Sequence, residues 1–282
     1  MRRLVIRPGA IGDCILSLPA MEHLRGDYLE VWVPSPSVPL VRFASQVHAI
    51  AATGLDLVGI PEREPPAGLL QYLAGFDDIV SWYGTGNTDF RAAVARLPFR
   101  FLAALPDERA GIHAGDQFLA QVGGGGTAIP RIECPRSPGG FAVIHPFSGS
   151  TRKCWPLERY QELARRLETR MPVRWCAGPE DELAGAVRFD DLYELACWLA
   201  GARLYVGNDS GIAHLAAAAG TAVVALFGPT DPAVWAPRGP QVWVVATAIL
   251  GEPIERIAVS EVLGAATAVL GSGCCASAPV RA

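Results

Sequence analysis

Short apolar strands alternate with amphipathic helices from the first residues up to a tetraglycine, Gly123 to Gly126, and the same alternation begins again after Gly139-Gly140. That repeat in design leaves few folds open. Strand (Leu4 to Arg7), loop (Pro8 to Asp13), helix (Cys14 to Arg25) and strand (Leu29 to Val33) make a βαβ unit at the start. Further strands are predicted at Leu55 to Ile60, Ile79 to Trp82 and Arg100 to Leu102, with helices at Pro66 to Ala74, Thr88 to Leu97 and His113 to Gln121. After the glycines come strands at Phe141 to Ile144, Val173 to Cys176, Arg203 to Val206 and Ala222 to Leu226. Between and after them fall a helix opened by Pro156 at its first position, one from about Asp191, one over Ile212 to Ala219 ended by Gly220, and one over about Ser260 to Leu270. Strands separated by helices cannot pair as hairpins, so the sheets are parallel and covered on both faces. The expected class is α/β, with two Rossmann-like doubly wound domains facing across a cleft. The domains are expected at 1–138 and 139–270, with a flexible linker at about 123–140 and a disordered tail over 271–282.

Composition narrows the partners. Residues 1–138 carry 12 basic and 14 acidic side chains and residues 139–282 the same, so each half has a net charge of −2. There is no global basic field to gather nucleic acid, and an anionic ligand needs a local site. The seven cysteines are odd in number and show neither a Cys-x-x-Cys pair nor a Cys/His cluster at ligand spacing, so they read as reduced thiols and no metal is expected. The Leu4-Val5-Ile6 run breaks at Pro8-Gly9, too short for a signal-peptide core, and apolar stretches such as Leu215 to Ala219 are far below the ~20 residues of a membrane span. The expected location is cytoplasmic, with room for peripheral membrane contact.

Three loops lie at carboxyl ends of predicted strands and lead into helices, where unpaired backbone N–H groups and the positive end of the helix dipole suit an anion. The first is Arg7-Pro8-Gly9-Ala10-Ile11-Gly12-Asp13, whose glycine spacing falls short of the dinucleotide fingerprint. Asp13 caps the helix there and is also placed to accept a proton. The second, His145 to Pro156, holds Ser148, Gly149, Ser150, Thr151 and Lys153, the one lysine in a chain with 23 arginines. An ammonium on a flexible stem suits a phosphate approached closely, and the loop lacks the Gly-Lys-Ser/Thr ending of a P-loop. The third is Gly207-Asn208-Asp209-Ser210-Gly211, followed by His214; either Asp209 or Ser210 serves as the N-cap, and His214 alone reads first as a packed histidine.

Taken together, the N-terminal Gly-x-x-Gly-Asp loop, the His-Pro-x-x-Gly-Ser…Lys-x-Trp-Pro segment, and Gly-Asn-Asp-Ser-Gly…His followed by Leu226-Phe227-Gly228-Pro229-Thr230-Asp231-Pro232 resemble the heptosyltransferases of glycosyltransferase family nine. The resemblance implies the two-domain GT-B fold, with the acceptor in the first half and the nucleotide sugar in the second. It also implies inverting transfer of a heptose from ADP-heptose, without a metal or other cofactor, to the lipopolysaccharide inner core or a related glycan or lipid-linked glycan at the cytoplasmic face of the inner membrane. Asp13 is then the general base, on a loop shaped by Gly9 and Gly12. Lys153 pairs with the donor diphosphate, supported by Ser150 and Thr151; Asp209, Ser210, Gly211 and His214 hold the diphosphate and sugar; Glu180 takes the ribose hydroxyls.

Only seven residues separate Glu182 from Asp190, where the family usually has a helix and a further strand. The trimmed segment keeps a second reading alive: a non-catalytic family member that binds nucleotide or sugar as a partner protein. Slow hydrolysis of a nucleotide sugar is a third and weaker one.

Overall fold

The computed structural model describes residues 1–135 and 139–271, so the predicted tail beyond Gly271 lies outside the described residues. The chain divides into two compact units, Met1–Ala110 with Ala114–Ala128, and Gly111–His113 with Ile129 onward.

In the first unit, β1 (Arg2–Ile6), α1 (Ile11–His23), β2 (Tyr28–Val33), β3 (Gln46–Ala49), α2 (Leu69–Ala74), β4 (Asp78–Ser81), α3 (Thr88–Ala93), β5 (Phe99–Phe101) and α4 (Ala114–Gln121) follow in chain order. Every strand pairing is parallel and the order is β3-β2-β1-β4-β5. Both α1 and α4 contribute to one face, and the two helices pack on each other. On the other face Leu4, Ile6, Trp32, Ile79 and Phe90 close a core with Leu55, Val58, Leu69 and Leu73.

The stretch Leu55 to Ile60 is not a strand. Its alternation of apolar and polar residues resembles one, but Leu55–Leu57 forms a 3₁₀ turn entered from Gly54 at φ +70°. Leu55 and Val58, three residues apart, are the two that reach the core, which is the 3₁₀ period and not the period of two. The strand in that part of the sheet is β3, a four-residue edge element whose Gln-Val-His-Ala alternation is too short and too exposed to stand out in the sequence.

The second unit runs β6 (Ala142–His145), α5 (Leu157–Leu167), β7 (Val173–Trp175), α6 (Leu192–Ala200), β8 (Leu204–Asn208), α7 (Gly211–Ala218), β9 (Val223–Phe227), α8 (Pro232–Trp235), β10 (Val242–Ala246) and α9 (Val259–Gly271). Its sheet is again wholly parallel, in the order β10-β9-β8-β6-β7. In α5, Tyr160, Leu163, Ala164 and Leu167 are buried at helical spacing and join Trp155, Ile144, Val206 and Val224 in the core, with α9 packed alongside. Pro156 stands one position ahead of its expected place, as the N-cap of α5 and not its first residue. Asp191 caps α6, accepting from the Tyr193 and Glu194 amides at 2.7 and 3.0 Å.

The trimmed segment has a definite structure. In place of a strand beyond β7, a single parallel bridge joins Cys176 to Val187, with Val187 N–H donating to Trp175 O at 2.8 Å. Arg188 fastens the turn by donating to the carbonyls of Gly178, Asp181, Leu183 and Ala186.

Candidate functional site

Each sheet reverses its winding direction once, between β1 and β4 in the first unit and between β6 and β8 in the second. At such a point the loops at the carboxyl ends of the two central strands splay apart, and the opening between them is where doubly wound sheets hold ligands. All three loops read from the sequence emerge at these two places.

In the second unit the loop after β6 meets the end of β8. Lys153 Nζ donates to Asp209 Oδ2 at 2.6 Å, and the Thr230 hydroxyl donates to the same oxygen at 2.7 Å. The Ser148 hydroxyl donates to the Asp209 carbonyl at 2.8 Å. Asp209 is buried, with 7% of its side chain exposed, whereas Lys153 keeps 30%. The ammonium is thus partly in solvent, held from behind by a carboxylate that is itself fixed. This settles the capping alternative: Ser210 is the N-cap of α7, its hydroxyl accepting from Ala213 N–H at 3.4 Å, and Asp209 is spent on Lys153 and Thr230. Gly211 opens the helix, so its first amides are free of intrahelical partners.

Asn208 anchors this arrangement from below. Fully buried, it accepts from Trp155 N–H at 3.0 Å and Tyr160 OH at 2.8 Å, and it donates to Pro146 O at 2.8 Å. One side chain therefore fastens the strand that carries Asp209 to both ends of the loop that carries Lys153. At Gly207 a Cβ would lie 2.5 Å from Tyr205 OH and 2.9 Å from His145 O, so no side chain fits where β8 passes β6.

His145 and His214 are both buried with Nδ1 lacking a hydrogen-bond partner. Burial pulls each ring down to about 4, opposed by Asp181 at His145 and by Asp209 at His214, where His113 and Lys153 add to the depression. Both are neutral at pH 7. An unfolded histidine titrates near ~6.5, so between pH ~6.5 and ~4 the unfolded chain binds more protons and stability falls as pH falls. Urea unfolding across this range should show that loss, with no contribution from these rings above pH ~7; for His145→Gln the uptake at pH ~5 should drop by about one proton. A slope unchanged by the substitution would place the titration elsewhere.

The other predicted residues are more exposed. Ser150 and Thr151 lie on the surface of the loop and their hydroxyls make no hydrogen bond among the described residues. Glu180 is exposed on the turn after β7, whose frame is set by Gly178 N–H donating to Asp181 Oδ2 at 2.8 Å.

In the first unit, Asp13 is the third residue of α1 and Gly12 the second. Asp13 Oδ2 accepts from Ala10 N–H at 3.0 Å, so it caps the helix from inside the first turn. Gly9 makes this possible: at φ +120° it takes a conformation that side chains avoid, and a Cβ there would lie 2.9 Å from Asp13 Oδ2. Beneath the loop lies Arg7, 1% exposed, with its guanidinium 4.5 Å from the Phe118 ring centroid and 5.6 Å from that of Trp82. Burial lowers the Arg7 pKa from its ordinary value while the Asp13 charge opposes the change.

Residues 128–257 match the model of glycosyltransferase family 9 (heptosyltransferase). That segment, 130 of the 282 residues, is a little under half of the chain, and its similarity is to glycosyltransferase family 9. Lipopolysaccharide heptosyltransferase 3 of Escherichia coli is 31% identical over 117 residues, which is 34% of this chain and 34% of that one. The match thus spans about a third of the relative's length. The solved Escherichia coli ADP-heptose lipopolysaccharide heptosyltransferase II superposes with a TM-score of 0.71 at 20% identity, covering 96% of this chain and 99% of that chain. The Escherichia coli heptosyltransferase WaaC with ADP gives 0.71 at 18%, covering 95% and 100%. The fold is that of these two proteins, the GT-B class, and the family 9 match runs from Ala128, the last residue of the first unit, into the second unit as far as Ile257.

Four contributors were not assigned from the sequence: Arg7, Asn208, Thr230, and Ser148 as the hydroxyl that touches Asp209. Each was visible in a quoted loop, but only the third dimension pairs them with their partners.

Proposed function

We propose that this protein is an inverting glycosyltransferase that moves a sugar from a nucleotide-diphosphate donor, ADP-heptose, to a hydroxyl of a lipopolysaccharide inner-core or related glycan, without a metal. The observation that carries the reading is the partly exposed Lys153 ammonium fixed at 2.6 Å from Asp209 beside the N-terminus of α7, at the switch point of the second sheet. Breaking a sugar-phosphate bond develops negative charge on the leaving diphosphate, and a prearranged cation with free helix amides stabilises that charge more in the transition state than in the ground state. The names of the matching proteins, heptosyltransferases including one solved with ADP, agree in donor class.

Within this reading Lys153 takes the diphosphate, and Asp209 with Thr230 aims the ammonium. Ser150 and Thr151 offer exposed hydroxyls to phosphate oxygens. Ser210 and Gly211 present the α7 amides, His214 lies one turn further on, and Glu180 takes the ribose. Asp13, on the loop formed by Gly9 and Gly12, accepts the proton of the attacking hydroxyl. No helix among the described residues is long and apolar enough to cross a membrane, so a lipid-linked acceptor would be met at a surface.

A calorimetric titration with ADP, UDP and GDP, in EDTA, tests the donor half. Selective ADP binding is expected, weakened at least about tenfold in Lys153→Ala, since a charge-assisted contact is worth roughly 1.5–3 kcal/mol. The single bridge at Val187 where a strand is usual favours the second reading, a binding protein without turnover. ADP binding with no ADP release from ADP-heptose in the presence of heptose-deficient lipopolysaccharide would support it. Failure to bind any nucleotide would sink the transferase reading and leave only a non-catalytic protein that binds sugar.

A further inference from the structure

Arg7 has no part in the activity proposed above, yet it is the most completely enclosed cation of the first unit, 1% exposed on the last turn out of β1. No carboxylate pairs with it among the described residues. Its guanidinium instead spends its donors on the frame of one loop: Nε on Ser17 Oγ at 2.6 Å, Nη1 on Pro8 O at 3.0 Å and Ala104 O at 3.2 Å, and Nη2 on Asp13 O at 3.4 Å. The Ser17 hydroxyl in turn donates to the same Asp13 carbonyl at 2.7 Å. The face of the guanidinium is covered by Phe118 of α4 and Trp82 after β4, which fixes its plane.

A buried charge without a counter-ion is expensive, and a fold tolerates it where the cation satisfies several carbonyls that would otherwise be stranded. Here three of the four acceptors belong to the loop and first turn that carry Asp13, or to the residue that clamps it. Only a planar fork reaches Pro8 O, Asp13 O and Ser17 at once; an ammonium would reach one or two. The remaining hold on Asp13, from the Ala10 amide to its carboxylate, depends on that frame staying put.

We propose that Arg7 is a positioning residue for Asp13, locking the Pro8 to Asp13 loop so that the carboxylate stays fixed against Ala10 N–H and aimed outward. The reaction-side consequence rests on Asp13 being the base; the positioning itself does not. Arg7 touches no substrate atom, and its effect passes through Asp13.

Amide hydrogen exchange on the full chain tests the positioning directly. In Arg7→Met the Ala10 amide should lose at least about tenfold in protection, since about 1.4 kcal/mol of lost restraint is tenfold, while Val5 and Val31 in the sheet interior keep theirs. Arg7→Lys should recover part of the loss. Ser17→Ala, a milder break in the same network, serves if Arg7→Met does not fold, and should expose Ala10 to a smaller degree. Unchanged Ala10 protection in folded variants, or equal loss across the whole sheet, would overturn the proposal.

A double-mutant cycle on ADP release from ADP-heptose with heptose-deficient lipopolysaccharide adds the reaction side. Arg7→Met should lower kcat with ADP affinity unchanged, and should cost nothing further once Asp13 is Asn, because both changes remove one function. Additive losses would show that Arg7 acts apart from Asp13. Full turnover in Asp13→Asn would instead remove Asp13 from the base role and leave the exchange result to decide the positioning alone.

Discussion

Asp13→Asn should lower transfer by about 10²- to 10⁴-fold while leaving ADP binding within about twofold of the native protein, because a general base contributes to the chemical step and not to holding the donor. The substitution is the informative one for structural reasons. Asn keeps the volume of Asp, and its amide oxygen can still accept from Ala10 N–H, the bond at 3.0 Å that closes the first turn of α1. The cap is preserved and only the proton acceptor is removed. Asp13→Ala would remove both, and part of its effect would be a loss of about 1 kcal/mol of capping. Turnover is read as ADP released from ADP-heptose with heptose-deficient lipopolysaccharide, and binding by calorimetry. Equal losses of ADP binding and of turnover in Asp13→Asn would take Asp13 out of the base role.

The largest stability effect is expected at an uncharged residue, Asn208. Asn208→Leu keeps the branching of the side chain but strands three buried partners: the Trp155 amide, the Tyr160 hydroxyl and the Pro146 carbonyl. Each unsatisfied buried group costs roughly 1–3 kcal/mol, so a loss of at least about 3 kcal/mol is expected, together with a fall in Tm on the order of 10 °C. Burial pushes the Tyr160 hydroxyl well above its ordinary pKa, so it cannot relieve the loss by ionising. Because Asn208 also ties the Lys153 loop to the strand end at Asp209, a folded Asn208→Leu protein should bind ADP more weakly as well. Ser150→Ala, on an exposed hydroxyl without a hydrogen bond, is the control and should stay within about 0.5 kcal/mol in stability. A melting temperature unchanged in Asn208→Leu would mean that the network is not closed as described.

Much of this could be read from the residues. The three loops carry their own signals: glycines where the backbone must turn or pass closely, a short polar residue where a helix starts, and one lysine in an arginine-rich chain. The strands leading into those loops are central in their sheets and buried on both faces, so they read as continuous apolar runs. The edge strand β3 gave no such signal, because one side of it has no strand partner and its residues are half exposed. Leu55 to Ile60 gave a false one, because alternation over six residues cannot distinguish a period of two from buried positions spaced by three.

Sequence by itself determined the alternation of elements, hence the parallel sheets, and the identity of the groups at the strand ends. Those are local properties: which residues prefer strand, cap or turn, and which carry charge. Tertiary structure alone decided what those groups do to one another. Asp209 and Lys153 are 56 positions apart in the chain, and Asp209 and Thr230 are 21 apart. Only the crossover that places β8 beside β6 brings them within hydrogen-bond reach, turning a candidate helix cap into the residue that aims the lysine. Arg7 is the same case in the first unit: a basic residue at a strand end reads as solvated, and packing beneath α1 and α4 makes it the buried clamp of the loop that carries Asp13. Partners so far apart in sequence leave no periodic trace, because their pairing is set by the order in which strands enter the sheet.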